Sequence, residues 1–152
     1  MKEPRDNVRV LIRRLPGNDL PAPSRATEGS SGVDLRACVT EAVVLAPGQR
    51  ALIPTGFAIA LQEGCEAQVR PRSGLALHLG LTMLNAPGTI DADYRGEIGV
   101  IAVNLGSENV TIRRGDRIAQ MVIQRVPECE MIEVEDLPSS NRGAGGFGSS
   151  GY

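Results

Sequence analysis

The sequence predicts an all-β sandwich or barrel with one short helix and a flexible, glycine-rich C-terminal arm. Many short apolar runs follow one another closely with turn residues between them, the pattern of an antiparallel all-β domain. No strand–helix–strand alternation occurs, which argues against a doubly wound parallel sheet. Gly (18) and Pro (10) are abundant, as many turns and short elements require.

Residues 8–15 read as a first strand with partial alternation. Residues 16–31 are rich in Pro, Gly, Ser and Asp and read as loop. Runs 42–45 and 51–53 flank Ala46-Pro47-Gly48-Gln49, a strong turn signal. Runs 56–61 and 67–70 are further strands, and Pro71 ends the second. Residues 73–79 form the one plausible helix, with Ser73 suited to its N-cap. Runs 81–84 and 97–104 enclose a Gly/Asp-rich segment. Runs 110–112 and 117–125 are joined by Arg113-Arg114-Gly115-Asp116, a hairpin-like turn. Residues 131–134 read as a last strand inside an acidic stretch, 128–136. Beyond Leu137 the chain is Ser/Gly-rich, so a compact domain is expected over 1–137 and a flexible arm over 138–152.

Bulk composition narrows the function. A chain of 152 residues fits one domain that needs no disulfide staple. Aromatics are 3% and Trp is absent, so the core must rest on Val, Ile, Leu and Ala. A net charge of −2 provides no basic field for nucleic acid. Cys38, Cys65 and Cys129 form no CxxC pair, and their odd number suits a reducing cytosol. A cytoplasmic protein is therefore expected, without membrane association, since no apolar run approaches spanning length. Glu3 and Asp6 argue against a transit peptide. His78 is the only histidine, so no His–Cys metal cluster can form, and it is expected on an exposed helix face.

Three segments could carry chemistry. Segment 85–97, Asn-Ala-Pro-Gly-Thr-Ile-Asp-Ala-Asp-Tyr-Arg-Gly-Glu, suits a β-hairpin whose bend cradles a small ligand through backbone groups. It could equally be a plain Asp/Gly turn, and spacing alone leaves Asp91 and Asp93 equivalent. Pro71-Arg72-Ser73-Gly74 opens the helix, where free N–H groups, a guanidinium and a hydroxyl could seat an anion. The plainer reading is an ordinary helix start. The tail from Arg142 to Gly151 has the composition of a flexible tail or of a phosphate-wrapping lid in which Phe147 stacks on a base. Two smaller pieces, Gly32-Val33-Asp34-Leu35 and Gly115-Asp116-Arg117-Ile118-Ala119-Gln120, place polar residues on strands.

Taken in order, these five segments resemble the trimeric dUTPase family from about Gly32 to Gly151. The central Gly-x-Ile-Asp-x-Asp-Tyr-Arg-Gly is the most specific part. The resemblance implies a jelly-roll-like β domain in a homotrimer with shared active sites, each closed by another subunit's tail. It implies Mg²⁺-dependent hydrolysis of dUTP to dUMP and pyrophosphate, which lowers dUTP and supplies dUMP for dTMP synthesis. Asp91 would be the general base on the attacking water. Asn85, Gly88, Ile90 and Gly99 would hold uracil, Tyr94 would pack under the deoxyribose, and Phe147 would stack on the base. Arg72, Ser73, Gly74, Gln120 and Arg142 would bind phosphates, with Gly148, Ser149 and Ser150 wrapping them. Asp34 would lie near the metal, through water rather than as a direct ligand.

The chain departs from the family pattern at Val33 and Ser150, where Tyr or Ala and Thr are common; Ser150 keeps a hydroxyl, so only lid affinity is affected. Two other readings are a bifunctional dCTP deaminase–dUTPase and a non-catalytic trimeric nucleotide-binding module. A zinc deaminase is disfavoured because the H-x-E and C-x-x-C signature is missing.

Overall fold

The computed structural model describes residues 7–147. Ten strands and one helix follow in the order β1 (Leu11–Arg14), β2 (Val33–Arg36), β3 (Val43–Leu45), β4 (Arg50–Ala60), β5 (Cys65–Pro71), α1 (Ser73–Leu79), β6 (Leu81–Met83), β7 (Gly88–Ile90), β8 (Glu97–Asn104), β9 (Val110–Ile112) and β10 (Arg117–Arg125). They form two four-stranded antiparallel sheets, β1-β4-β8-β6 and β2-β10-β5-β7, and a two-stranded sheet, β3-β9. The all-β class with one short helix is as expected.

Alternation decides which faces are buried. In β5, Cys65, Ala67 and Val69 point inward while Glu66, Gln68 and Arg70 are partly exposed. Inward residues of both large sheets meet in one core, where Ile53, Ile98 and Val100 from one pack with Leu35, Val69 and Ala119 from the other. As composition required, that core is aliphatic. Asn104 is fully buried at the end of β8. Its amide donates to the carbonyls of Leu45 (2.8 Å) and Glu108 (2.7 Å) and accepts from the Gly106 N–H, so no polar atom is stranded.

Several local expectations are corrected. The first strand spans Leu11–Arg14, shorter than 8–15, because only those residues pair with β4. Runs 51–53 and 56–61 belong to one strand, β4. The gap between the two runs, at Pro54 and Thr55, is bridged by a bulge: the register jumps from Pro54↔Gly99 to Ala58↔Glu97. Ser73 is not the N-cap. Arg72 occupies that position in extended conformation, and its carbonyl accepts the first helical N–H, from Ala76. The helix stops at Gly80, whose φ of 67° and close approach to Gly106 leave no room for a side chain.

Neither expected hairpin forms a ladder of its own. β7 pairs with β5 while β8 pairs with β4 and β6, and β9 pairs with β3 while β10 pairs with β2 and β5. Both turns instead carry the chain between sheets, because the flanking apolar faces are needed on opposite sides of one core. Residues 131–134 form no strand, and Met131 and Ile132 are 91% and 73% exposed. The apolar residues are present there, but the stretch belongs to none of the sheets. No helix among the described residues is long and apolar enough to cross a membrane.

Candidate active site

A polar cleft of about 420 Å³ opens between β2, the start of α1 and β10. Asp34, Arg72, Ser73, Gly74 and Gln120 all line it, with Ser30, Ser31 and Gly32 completing the wall. Strand register explains the convergence. Gln120 stands opposite Asp34 on one side and Arg70 on the other, two residues before Arg72. The Asp34 carboxylate faces Arg72 Nε at 3.2 Å and Arg117 Nη1 at 3.2 Å. Arg72 also donates to the Arg117 carbonyl, and Gln120 Nε2 donates to the Pro71 carbonyl at 3.0 Å. These bonds hold the Arg72 guanidinium in the wall of a cleft whose chemistry suits a polyanion, with Arg117 behind it on Asp34.

Arg117 does not line the cleft itself but is tied to it through Asp34, and sequence reasoning did not name it as a site residue. On a regular strand, residues 117 and 120 would point to opposite faces. A register shift between Arg117 and Ala119 brings both into reach of Asp34. The three-residue spacing was visible, but a bulge cannot be read from it. Ser73 and Gly74 are exposed on the first turn of a seven-residue helix. So short a helix carries little dipole, and the anion-binding capacity rests mainly on the arginines.

A second, smaller cleft of about 180 Å³ lies where the chain passes from β7 to β8. Ile90, Asp91, Tyr94 and Gly99 line it, with Thr89 and Glu97. Asp91 is exposed, and its carbonyl accepts the Tyr94 N–H at 3.1 Å, closing the turn. Arg95 braces that turn by donating to the carbonyls of Ala92 (2.6 Å) and Tyr94 (2.8 Å). The Tyr94 hydroxyl donates to the Glu97 carbonyl at 3.1 Å. Its ring lies so close over Gly96 that a Cβ there would fall 2.2 Å from the hydroxyl oxygen. Ile90 belongs to the core, so only its main chain is offered to a ligand. Gly88 is buried with the exposed Asn85 amide beside it, and a Cβ at Gly99 would meet Leu52 at 2.6 Å.

The two clefts share no lining residue. Register places them far apart within one chain. Ile90 is opposite Ala67, so Asp91 lies near the Glu66 end of β5, whereas Arg72 follows its other end. Six residues of extended chain separate Glu66 from Arg72, about 20 Å. A triphosphate, whose phosphorus atoms are only a few ångströms apart, cannot touch Asp91 and Arg72 of the same chain.

Neither Arg142 nor Phe147 lines either cleft. Arg142 is exposed and its Nε donates to the Gly145 carbonyl at 2.7 Å. Phe147 is fully exposed, with a φ of 50°. Gly148, Ser149 and Ser150 lie outside the described residues. No group of three or more His, Cys, Asp or Glu side chains among the described residues could hold a metal. Asp34 already faces two guanidinium groups, so the donor set suits a cation held chiefly by a ligand's own phosphates and by water.

Fold and clefts together define a β-sandwich protein built to take up a small phosphorylated ligand. The dUTPase family model matches residues 18–151. The chain belongs to the dUTPase family. It is 57% identical over 145 residues to the deoxyuridine 5'-triphosphate nucleotidohydrolase of Caulobacter vibrioides, covering 93% of this chain and 94% of that one. It is 58% identical over 146 residues to the protein of that name from Anaeromyxobacter, covering 95% and 98%. Among solved structures it resembles Staphylococcus bacteriophage 80alpha dUTPase with dUpNHpp, at a TM-score of 0.85 and 28% identity over 95% of this chain and 99% of that one. A mutant dUTPase of Staphylococcus aureus phage phi11, described with a structural Mg(II) ion, superposes at a TM-score of 0.77 with 25% identity, over 86% and 99% of the two chains.

Proposed function

We propose that this chain hydrolyses dUTP to dUMP and pyrophosphate, by attack of water on the α-phosphorus. The observation that carries this is the family match over residues 18–151, which spans both clefts and most of the arm. Asp91 takes the proton of the attacking water, a role open to it because its carboxylate is exposed at the rim of the smaller cleft. Backbone groups of Gly88, Ile90 and Gly99, with Asn85, hold uracil. The Tyr94 ring forms the floor under the deoxyribose and leaves no room for a 2′-hydroxyl. Arg72, Ser73, Gly74 and Gln120 bind the phosphates, with Arg117 beside them. Arg142 joins them from a lid at 138–152, in which Phe147 stacks on the base and Gly148, Ser149 and Ser150 wrap the phosphates.

Mg²⁺, when bound, neutralises charge on the triphosphate and orients it. Asp34, which holds both arginines, would be the residue to hold the metal through its bound water. The working unit is a homotrimer, as the family resemblance implies; the separation of the Asp91 and Arg72 clefts within one chain supports a site shared between copies. The exposed apolar residues Met131, Ile132 and Leu137 support the same reading, since a neighbouring copy would cover them.

The test is pyrophosphate release with Mg²⁺ from dUTP, dTTP, dCTP and UTP. Strong preference for dUTP is expected. Comparable turnover of all four would sink the assignment. Ammonia from dCTP would indicate a deaminase, and nucleotide binding without pyrophosphate release would indicate a non-catalytic module.

A further inference from the structure

Tyr94 is held by a hydrogen-bond chain that reaches through β8 and β4 to the N-terminal loop. Its hydroxyl donates to the Glu97 carbonyl at 3.1 Å. The carboxylate of the same residue accepts the Gly56 N–H at 2.8 Å. Gly56 sits in the bulge of β4 with a φ of 73°, a conformation that favours glycine. Its carbonyl accepts from the buried Asn18 side chain at 2.7 Å and from the Leu15 N–H at 2.9 Å. A Cβ on Gly56 would lie 2.5 Å from the Asn18 amide nitrogen. Beside it, the buried Thr55 hydroxyl donates to the Ile98 carbonyl at 2.6 Å.

We propose that Glu97 is a positioning residue for sugar selection: its carboxylate pins the β4 bulge, and its carbonyl thereby fixes the height of the Tyr94 ring. The bulge would otherwise leave the Gly56 N–H without a ladder partner, since Gly56 falls where the β4–β8 register breaks. Glu97 fills that gap and joins it to the one hydrogen bond made by the Tyr94 hydroxyl. Discrimination against a 2′-hydroxyl by sterics depends on where the ring stands. Loss of the carboxylate therefore costs selectivity more than turnover. The inference rests on the proposed placement of Tyr94 under the sugar.

The test compares kcat/KM for dUTP and for UTP in Glu97→Ala, Glu97→Asp and Glu97→Gln. Glu97→Asp is one methylene too short to reach Gly56, while the Gln amide oxygen can still accept its N–H. It serves as the second variant if Glu97→Ala fails to fold. The dUTP-over-UTP ratio should fall roughly tenfold in the first two, the scale of one lost hydrogen bond to a charged group. It should be largely kept in Glu97→Gln. Tyrosine fluorescence anisotropy in a Tyr152→Phe background provides a readout independent of activity, because Tyr94 is then the only tyrosine in a chain without Trp. Anisotropy should drop in the Ala and Asp variants and hold in the Gln variant. An unchanged dUTP-over-UTP ratio in the Ala or Asp variant overturns the inference, as does an equal loss in Glu97→Gln. If the unmodified protein itself fails to prefer dUTP, the proposed function falls first and separately.

Discussion

Asp91 and Asp93 stand two positions apart in the same exposed turn, yet only Asp91 lines the cleft that holds Tyr94 and Gly99. Composition could not separate them, because both are short carboxylates in a Gly-rich bend. What separates them is their place in the fold: Asp91 directly follows β7 and lines the cleft, while Asp93, further into the turn, does not. Asp91→Asn should keep nucleotide affinity near that of the unmodified protein and lower kcat by roughly 10²–10⁴-fold, the usual scale of a positioned general base. Near-normal turnover in single-turnover kinetics would place the base elsewhere.

At the scale of elements, loops and strand ends are tied by a few polar clamps. Arg114 joins the N-terminal loop to the segment after β2. It donates to the Gly17 carbonyl at 2.9 Å, to the Val39 carbonyl at 3.1 Å and to the Asp19 carboxylate at 2.6 Å. Its hydrogen bond holds the Asp19 carboxyl below the ordinary value of 3.8, and the same bond raises the Arg114 pKa. A carboxyl depressed in the folded state adds stability above its unfolded pKa and loses it as pH falls through the folded one. The melting temperature of the unmodified protein should therefore exceed that of Asp19→Asn at neutral pH, by a small margin because the pair is exposed. That margin should shrink as pH falls below about 3.8 and vanish once pH has passed the lowered folded-state pKa. A margin that is constant across the titration would show that the ion pair contributes nothing.

Elements also show where sequence reading stops. The stretch at Pro54 looks like a break between two strands, and the spacing of Arg117 and Gln120 looks wrong for a shared face. Each is resolved by a bulge. A bulge is set by which residues the neighbouring strand presents, information that lies dozens of positions away in the chain. The same holds for Glu97, whose partner Gly56 is 41 residues distant.

At the scale of the whole molecule, the two clefts are about 20 Å apart along β5, and the proposed reaction needs both on one nucleotide. Truncation after Asn141 should leave a folded trimer with catalysis crippled, checked by light scattering and pyrophosphate release. Mixing that variant with Asp91→Asn after joint refolding tests the division of labour between copies. A mixed trimer in which base, phosphate cleft and lid come from three subunits contains some intact sites, so activity should rise well above either variant alone. No recovery in refolded mixtures would mean that base and lid come from one subunit.

The chain by itself determined the all-β class, the single short helix, the aliphatic core and the five polar segments. All of these are local: periodicity, turn chemistry and residue type act over a few neighbouring positions. Only the tertiary structure decided that both expected hairpins cross between sheets, that Arg72 rather than Ser73 caps the helix, and that Arg117 joins Asp34. It alone separated the Arg72 cleft from the Asp91 cleft. Those outcomes depend on cross-strand register, which is set by packing two sheets on one core and leaves no trace in any short stretch of sequence.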